Sequence, residues 1–168
     1  MKKIFGIVGW SGSGKTDLTT RVISFFVKKK ISVSSLKHTH HNFQIDKEGK
    51  DSDKHLKSGA NEVMIYNENK WALISAPQKN KTKIEKIVEK FENNTEFIII
   101  EGLKYSEFPK IEVVRSSLNK PLIHSTDNNI KAIAIDKKNY NFVNKDLPIF
   151  NFYETEKIAN FIINYFQK

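Results

Sequence analysis

Gly9-Trp10-Ser11-Gly12-Ser13-Gly14-Lys15-Thr16 is a complete G-x-x-x-x-G-K-[ST] pattern lying directly behind the apolar run Ile4-Phe5-Gly6-Ile7-Val8. Backbone N–H groups can wrap a chain of phosphates only where Cβ atoms are absent or small, which Gly9, Gly12 and Gly14, with Ser11 and Ser13 between them, provide. Lys15 is placed to bring a point charge to the β- and γ-phosphates, and the Thr16 hydroxyl to ligate Mg²⁺. Between Asp17 and Lys30, Leu18, Val22, Phe25 and Phe26 share one helical face, so a helix N-terminus points at the anion. Strand, glycine loop and helix in this order predict a phosphate-binding loop in an α/β fold.

The 168 residues suit a single domain, 1–168, and 39% hydrophobic content suits a soluble globular chain. The formal charge of +9 raises nucleic-acid binding, yet Arg21 and Arg115 are the only arginines. Recognition of phosphates and bases by planar bidentate forks calls for arginine, so the balance points to small anionic ligands and no nucleic-acid partner. No cysteine is present, which removes disulfides and thiolate metal sites and fits a reducing compartment. Met1-Lys2-Lys3 and the apolar residues after it imitate a signal peptide, but the run is short and leads straight into the glycine loop. With no stretch approaching the roughly 20 apolar residues of a membrane span, a cytoplasmic location without membrane attachment is expected.

Further along, Ile31 to Leu36 reads as a second strand that empties into Lys37-His38-Thr39-His40-His41. Asn42 to Lys50 reads as a loop, and Ser52 to Ser58 as a short helix capped by Asp51 or Ser52 and stopped by Gly59. Glu62 to Tyr66 and Trp71 to Ser75 flank the turn-like Asn67-Glu68-Asn69-Lys70, predicting an antiparallel hairpin. Ile84, Ile87, Val88 and Phe91 predict an amphipathic helix over Lys81–Glu92. Phe97 to Ile100 is continuously apolar, as a strand buried on both faces of a parallel sheet must be. Strands over 110–115, 130–135 and 148–150 and a helix over 154–166 complete a three-layer P-loop NTPase fold: a mostly parallel sheet with an added antiparallel hairpin.

A nucleotide site needs a carboxylate near the metal, normally from a strand end beside the loop. Glu101, after four apolar residues and before Gly102, is the candidate, the alternative being a simple strand cap. Asp46 and Asp51 either sense the γ-phosphate and position water or are solvated loop acids. His38, His40, His41 and His55 invite a metal reading, but a His-x-His on a strand end converges only with a distant ligand, and contact with phosphate or a pterin is the competing role.

Beyond the glycine loop, Lys37 to His41, Ile45-Asp46-Lys47-Glu48-Gly49-Lys50-Asp51-Ser52, Gly59-Ala60, Trp71-Ala72-Leu73, Glu101-Gly102-Leu103-Lys104 and Pro109 to Arg115 closely resemble the molybdopterin-guanine dinucleotide biosynthesis protein B family, MobB. The resemblance spans nearly the whole chain, and the histidine block together with the 46–52 block is specific to the family. It implies a GTP-binding protein with weak GTPase activity, dependent on Mg²⁺. Such a protein acts as adapter to the nucleotidylyltransferase MobA, which joins GMP to molybdopterin. It also implies a homodimer, with the strands around Val63 and Trp71 helping to join the subunits. Carried over by position, Gly12, Gly14, Lys15 and Thr16 bind phosphates and Mg²⁺, Asp46 and Glu101 are the acids near the metal, and the blocks around His38 and Lys50 line a cleft facing molybdopterin or the partner. Two positions depart: the family often has an aromatic residue where Asp53 stands and a basic one where Leu56 stands. No N-K-x-D sequence occurs, so Asp136, at the end of the 130–135 strand, is the candidate acceptor for the guanine N1–H and N2–H₂ pair, against a strand-terminal acid in a turn. Two other functions compete, a small-molecule P-loop kinase and a nucleotide-dependent metal-insertion chaperone. Scarcity of arginine weighs against the first, absence of cysteine against the second.

Overall fold

The computed structural model describes residues 2–39, 43, 45, 47–75, 82–137 and 146–167. They fall into two compact units, Met1–His38 with Phe91–Lys168, and Thr39–Lys90.

The first unit is built on six strands: β1 (Lys3–Val8), β2 (Val33–Lys37), β5 (Phe97–Glu101), β6 (Lys110–Val114), β7 (Ile130–Ile135) and β8 (Ile149–Asn151). Their order in the sheet is β2-β5-β1-β6-β7-β8, and every pairing is parallel. The interior strands β5 and β6 are buried along their whole length, which is why Phe97 to Ile100 carries no polar alternation. The edge strand β2 alternates instead, with Ser35 and Lys37 exposed.

Strand geometry sends successive side chains to opposite faces. Phe5, Ile7, Phe97, Ile99, Ile111, Val113, Ala132 and Ala134 therefore share one face, covered by Leu18, Val22 and Phe26 of α1 (Lys15–Lys28) and by Ile158, Ala159 and Ile162 of α4 (Thr155–Tyr165). The other face carries Val8, Val114, Ile133 and Ile135, with Ile123 and Leu122 from the β6–β7 connection packed on it. That connection holds two 3-10 turns, Ser116–Leu118 and Ile123–Ser125, which no hydrophobic period announces. Because all six strands run the same way, Gly9, Lys37, Glu101, Arg115, Asp136 and Phe152 all emerge at one edge, the carboxyl edge where open α/β sheets bind ligands.

The second unit contains α2 (Asp51–Lys57), the hairpin β3 (Glu62–Asn67) and β4 (Lys70–Ser75), and α3 (Ile84–Glu89). The predicted antiparallel hairpin forms, with Glu62 opposite Ser75 and Asn67 opposite Lys70. Asn67 Oδ1 accepts both Asn69 N–H and Lys70 N–H, so one side chain satisfies the turn.

Three expectations need correction. The cap of α2 is Lys50, with no side-chain bond, rather than Asp51 or Ser52; Asp53 in the first turn reaches back to the Gly49 N–H at 2.7 Å and serves that end instead. Helix α3 stops at Glu89, short of Glu92, where Lys90 N–H closes on Ile87 O, three residues back instead of four. Helix α1 starts at Lys15, two residues earlier than its apolar face suggests, with Gly14 as the cap.

Candidate functional site

The turn from β1 into α1 works because of what glycine lacks. A Cβ on Gly9 would lie 2.6 Å from Val113 O, and one on Gly14, whose φ is 97°, would lie 2.9 Å from both Arg115 and the Phe152 ring. Any side chain at either position would push the loop off the sheet edge. Within the loop, Ser13 N–H bonds to Trp10 O at 3.1 Å, while Leu18 N–H is the first to find a carbonyl in the helix, that of Gly14. The N–H groups of Lys15, Thr16 and Asp17 therefore have no acceptor within α1, and they carry the positive end of a helix of 14 residues. A polyphosphate fits such a cradle: exposed Gly12 and Ser11 form the open rim, and Ser13 is buried beneath it.

Lys15 Nζ donates to Trp10 O at 2.8 Å, which leaves two ammonium protons for an anion. Burial lowers its pKa; the negative charge of Glu101 opposes that shift, and Lys104 and Lys37 reinforce it. Thr16 Oγ1 donates to Glu101 Oε1 at 2.8 Å, and Lys37 Nζ lies 3.4 Å from the same oxygen. The pairing of β5 between β1 and β2 places Glu101 opposite Ile7 on one side and Lys37 on the other, so the register sets the acid beside the end of β1, where the first turn of α1 carries the Thr16 hydroxyl. Gly102 N–H continues to Ile7 O, and His38 N–H to Glu101 O, pinning the strand end from both sides. A hydroxyl and a carboxylate oxygen within hydrogen-bonding distance are a donor set suited to a hard cation such as Mg²⁺.

The predicted residues divide accordingly. Lys15, Thr16 and Glu101 converge, and Gly9, Ser11, Gly12, Ser13 and Gly14 form the loop beside them. Asp46, His40 and His41 lie outside the described residues; Lys50, Asp51 and His55 belong to the second unit, where Asp51 is exposed. Among the described residues no group of three or more His, Asp or Glu side chains could hold a metal ion.

Asp136 sits at the end of β7, with Oδ1 accepting the Ser116 N–H at 2.9 Å and Oδ2 lying 3.6 Å from Arg115 Nη1. Burial disfavours its charge, but the Ser116 N–H and hydroxyl and the Arg115 charge outweigh it and hold its pKa below the ordinary carboxylate value.

Sequence reasoning missed the role of Phe152. Both arginines stack on its ring, each guanidinium 4.8 Å from the centroid. Arg21 also donates to Phe152 O at 2.9 Å and to Thr155, and pairs with Asp17 at 3.1 Å. The scarcity of arginine was the available signal: two such residues in a lysine-rich chain mark places where a planar cation is required. Trp10 was also missed. Its indole N–H donates to Pro121 O at 2.7 Å, and the Lys104 ammonium lies 3.7 Å from its ring centroid. A third omission is the buried charge on β6. Lys110, fully buried, pairs with Asp127 at 2.7 Å and donates to Ser106 O, and Glu112 accepts Ile123 N–H, His124 N–H and a bond with His124 Nδ1.

Over 163 residues the chain is 34% identical to the molybdopterin-guanine dinucleotide biosynthesis adapter protein of Haemophilus influenzae, covering 96% of this chain and 88% of that one. It is 28% identical to the adapter protein of the same name from Escherichia coli, covering 100% and 95%. The crystal structure of a molybdopterin-guanine biosynthesis protein B superposes with a TM-score of 0.75 at 27% identity, covering 96% of this chain and 99% of that one. The molybdopterin guanine dinucleotide synthesis protein B family matches residues 4–136, which run from β1 through the glycine loop and Glu101 to Asp136. The chain belongs to this family, MobB.

Proposed function

We propose that this chain is an adapter in molybdopterin guanine dinucleotide biosynthesis that binds GTP with Mg²⁺, hydrolyses it weakly, and assists a MobA-like nucleotidylyltransferase in attaching GMP to molybdopterin. Family membership supports the pathway. The observation that carries the nucleotide part is the bond from Thr16 to Glu101 at the foot of a helix N-terminus, with Lys15 beside it. In this reading the loop N–H groups and Lys15 hold the phosphates, while Thr16 and Glu101 hold the metal or its waters. Bound Mg²⁺ would supply charge neutralisation at the β- and γ-oxygens. Asp46 would be the second acid. Asp136 keeps lone pairs beyond those taken by Ser116 and Arg115, and these would meet the guanine edge.

A homodimer is part of the same proposal. Tyr66 and Trp71 are cross-strand partners on the hairpin and expose 80% and 60% of their surface, an apolar area suited to a second subunit. No observation favours the kinase reading, since both arginines are occupied at Phe152. Binding of GTP against ATP, with and without Mg²⁺, together with the yield of guanylated cofactor from the transferase, tests the whole. Purified protein that binds no guanine nucleotide and leaves that yield unchanged would overturn it.

A further inference from the structure

Three lysines stand at the mouth of the glycine loop, and their neighbours differ. Lys15 donates to Trp10 O, and Lys37 faces the carboxylate of Glu101. Lys104 alone of the three has an aromatic face as its neighbour, 3.7 Å from the Trp10 centroid, and no carboxylate partner among the described residues. The backbone is bent to put it there. After Glu101 the chain passes through two consecutive left-handed residues, Gly102 at φ 99° and Leu103 at φ 54°. A leucine rarely adopts that conformation, and such outliers gather at functional turns. The platform is held as well, by the indole bond to Pro121 O, so Trp10 presents its carbonyl to one ammonium and its ring to another.

We propose that Lys104 is the specificity-determining cation for the terminal phosphate, distinguishing a nucleoside triphosphate from a diphosphate. The inference rests on the nucleotide reading above. A cation on a π face stays close to the loop with its charge uncompensated by a carboxylate, so it can turn to an anion without breaking an ion pair. The arginines that commonly do this work are at Phe152, which leaves the task to a lysine. The influence of Lys104 on Lys15 places the two charges within electrostatic reach of each other, and a γ-phosphate between them would relieve that repulsion.

The test compares affinities for Mg·GTP and Mg·GDP in the full chain, for wild type, Lys104→Met and Lys104→Arg. Methionine keeps an unbranched stem over the indole without the charge. A Trp71→Phe background, in which Trp10 is the only tryptophan, gives a second readout from its emission. Lys104→Met should weaken GTP roughly tenfold or more, the value of one charge-assisted contact, with GDP little changed. Lys104→Arg should restore most of the preference, and GTP but not GDP should shift Trp10 emission. Equal losses for both nucleotides, or an unchanged ratio in a Lys104→Met protein that still binds GTP, would overturn the role of Lys104 and leave the nucleotide site standing. Wild type that binds neither nucleotide would overturn both.

Discussion

Thr16 and Glu101, 85 residues apart in the chain, share a hydrogen bond of 2.8 Å. α1 presents the hydroxyl and β5 the carboxylate. If the pair holds Mg²⁺ as proposed, losing the hydroxyl should matter mainly when metal is present. Thr16→Ala should lower affinity for Mg·GTP about ten- to a hundredfold, with a much smaller effect on nucleotide measured in chelator. Titration calorimetry with and without Mg²⁺ checks it; a defect of the same size in both conditions removes Thr16 from the metal site.

Lys15→Ala should abolish most triphosphate binding, and in the wild type affinity should be alkali-sensitive. The Lys15 pKa lies below the 10.5 of an ordinary lysine, chiefly because of burial. A bound polyphosphate favours the ammonium and raises that pKa. As pH rises through the free protein's depressed value, the free protein loses its proton first, and binding must take one up. Affinity therefore falls with pH above that value, and proton uptake appears in the same window. Calorimetry in two buffers of different ionisation enthalpy measures it; zero uptake would contradict the assignment.

Asp136 and Asp127 should make folding acid-sensitive. Both have folded pKa values below the ordinary 3.8, burial opposing the shift and hydrogen bonds with a nearby cation overriding it. Their contribution is fully present above the unfolded value and is lost as pH falls through it towards the folded one. Asp136→Asn should cost about 1 kcal/mol near neutrality, the worth of a typical hydrogen-bond partner, and should flatten the stability profile below pH 3.8. Urea unfolding across pH provides the comparison.

The buried Lys110–Asp127 pair should be costly to break on one side. Asp127→Ala leaves an ammonium that is fully buried, and should destabilise by about 3–5 kcal/mol. Lys110→Met combined with Asp127→Ala should recover much of that loss, since the uncompensated charge is gone. A double-mutant cycle by chemical denaturation decides; additive losses would show that the pair is not coupled.

Legibility from the sequence tracked how local the cause was. The glycine loop was legible because its spelling is set by a backbone that tolerates no Cβ at Gly9 and Gly14. The buried strand Phe97 to Ile100 and the hairpin around Asn67 were legible from hydrophobic period and turn chemistry. Three helix ends were misplaced, the start of α1, the cap of α2 and the stop of α3, because a single side-chain acceptor or a tightened last turn decides an end where composition does not. Glu101 was found by its position after an apolar strand, but nothing local announced that Lys110 and Glu112, in a strand spelled like its neighbours, would be buried charges.

By itself, then, the sequence determined a phosphate loop ahead of a helix, strands apolar enough to lie inside a parallel sheet, and a hairpin, since each is written in residues a few positions apart. Only the tertiary structure decided the company these residues keep: Glu101 on Thr16, Lys104 on Trp10, and both arginines on Phe152. Those meetings depend on strand order. Placing β5 between β1 and β2, and β6 on the far side of β1, brings together chain segments that no short-range pattern connects.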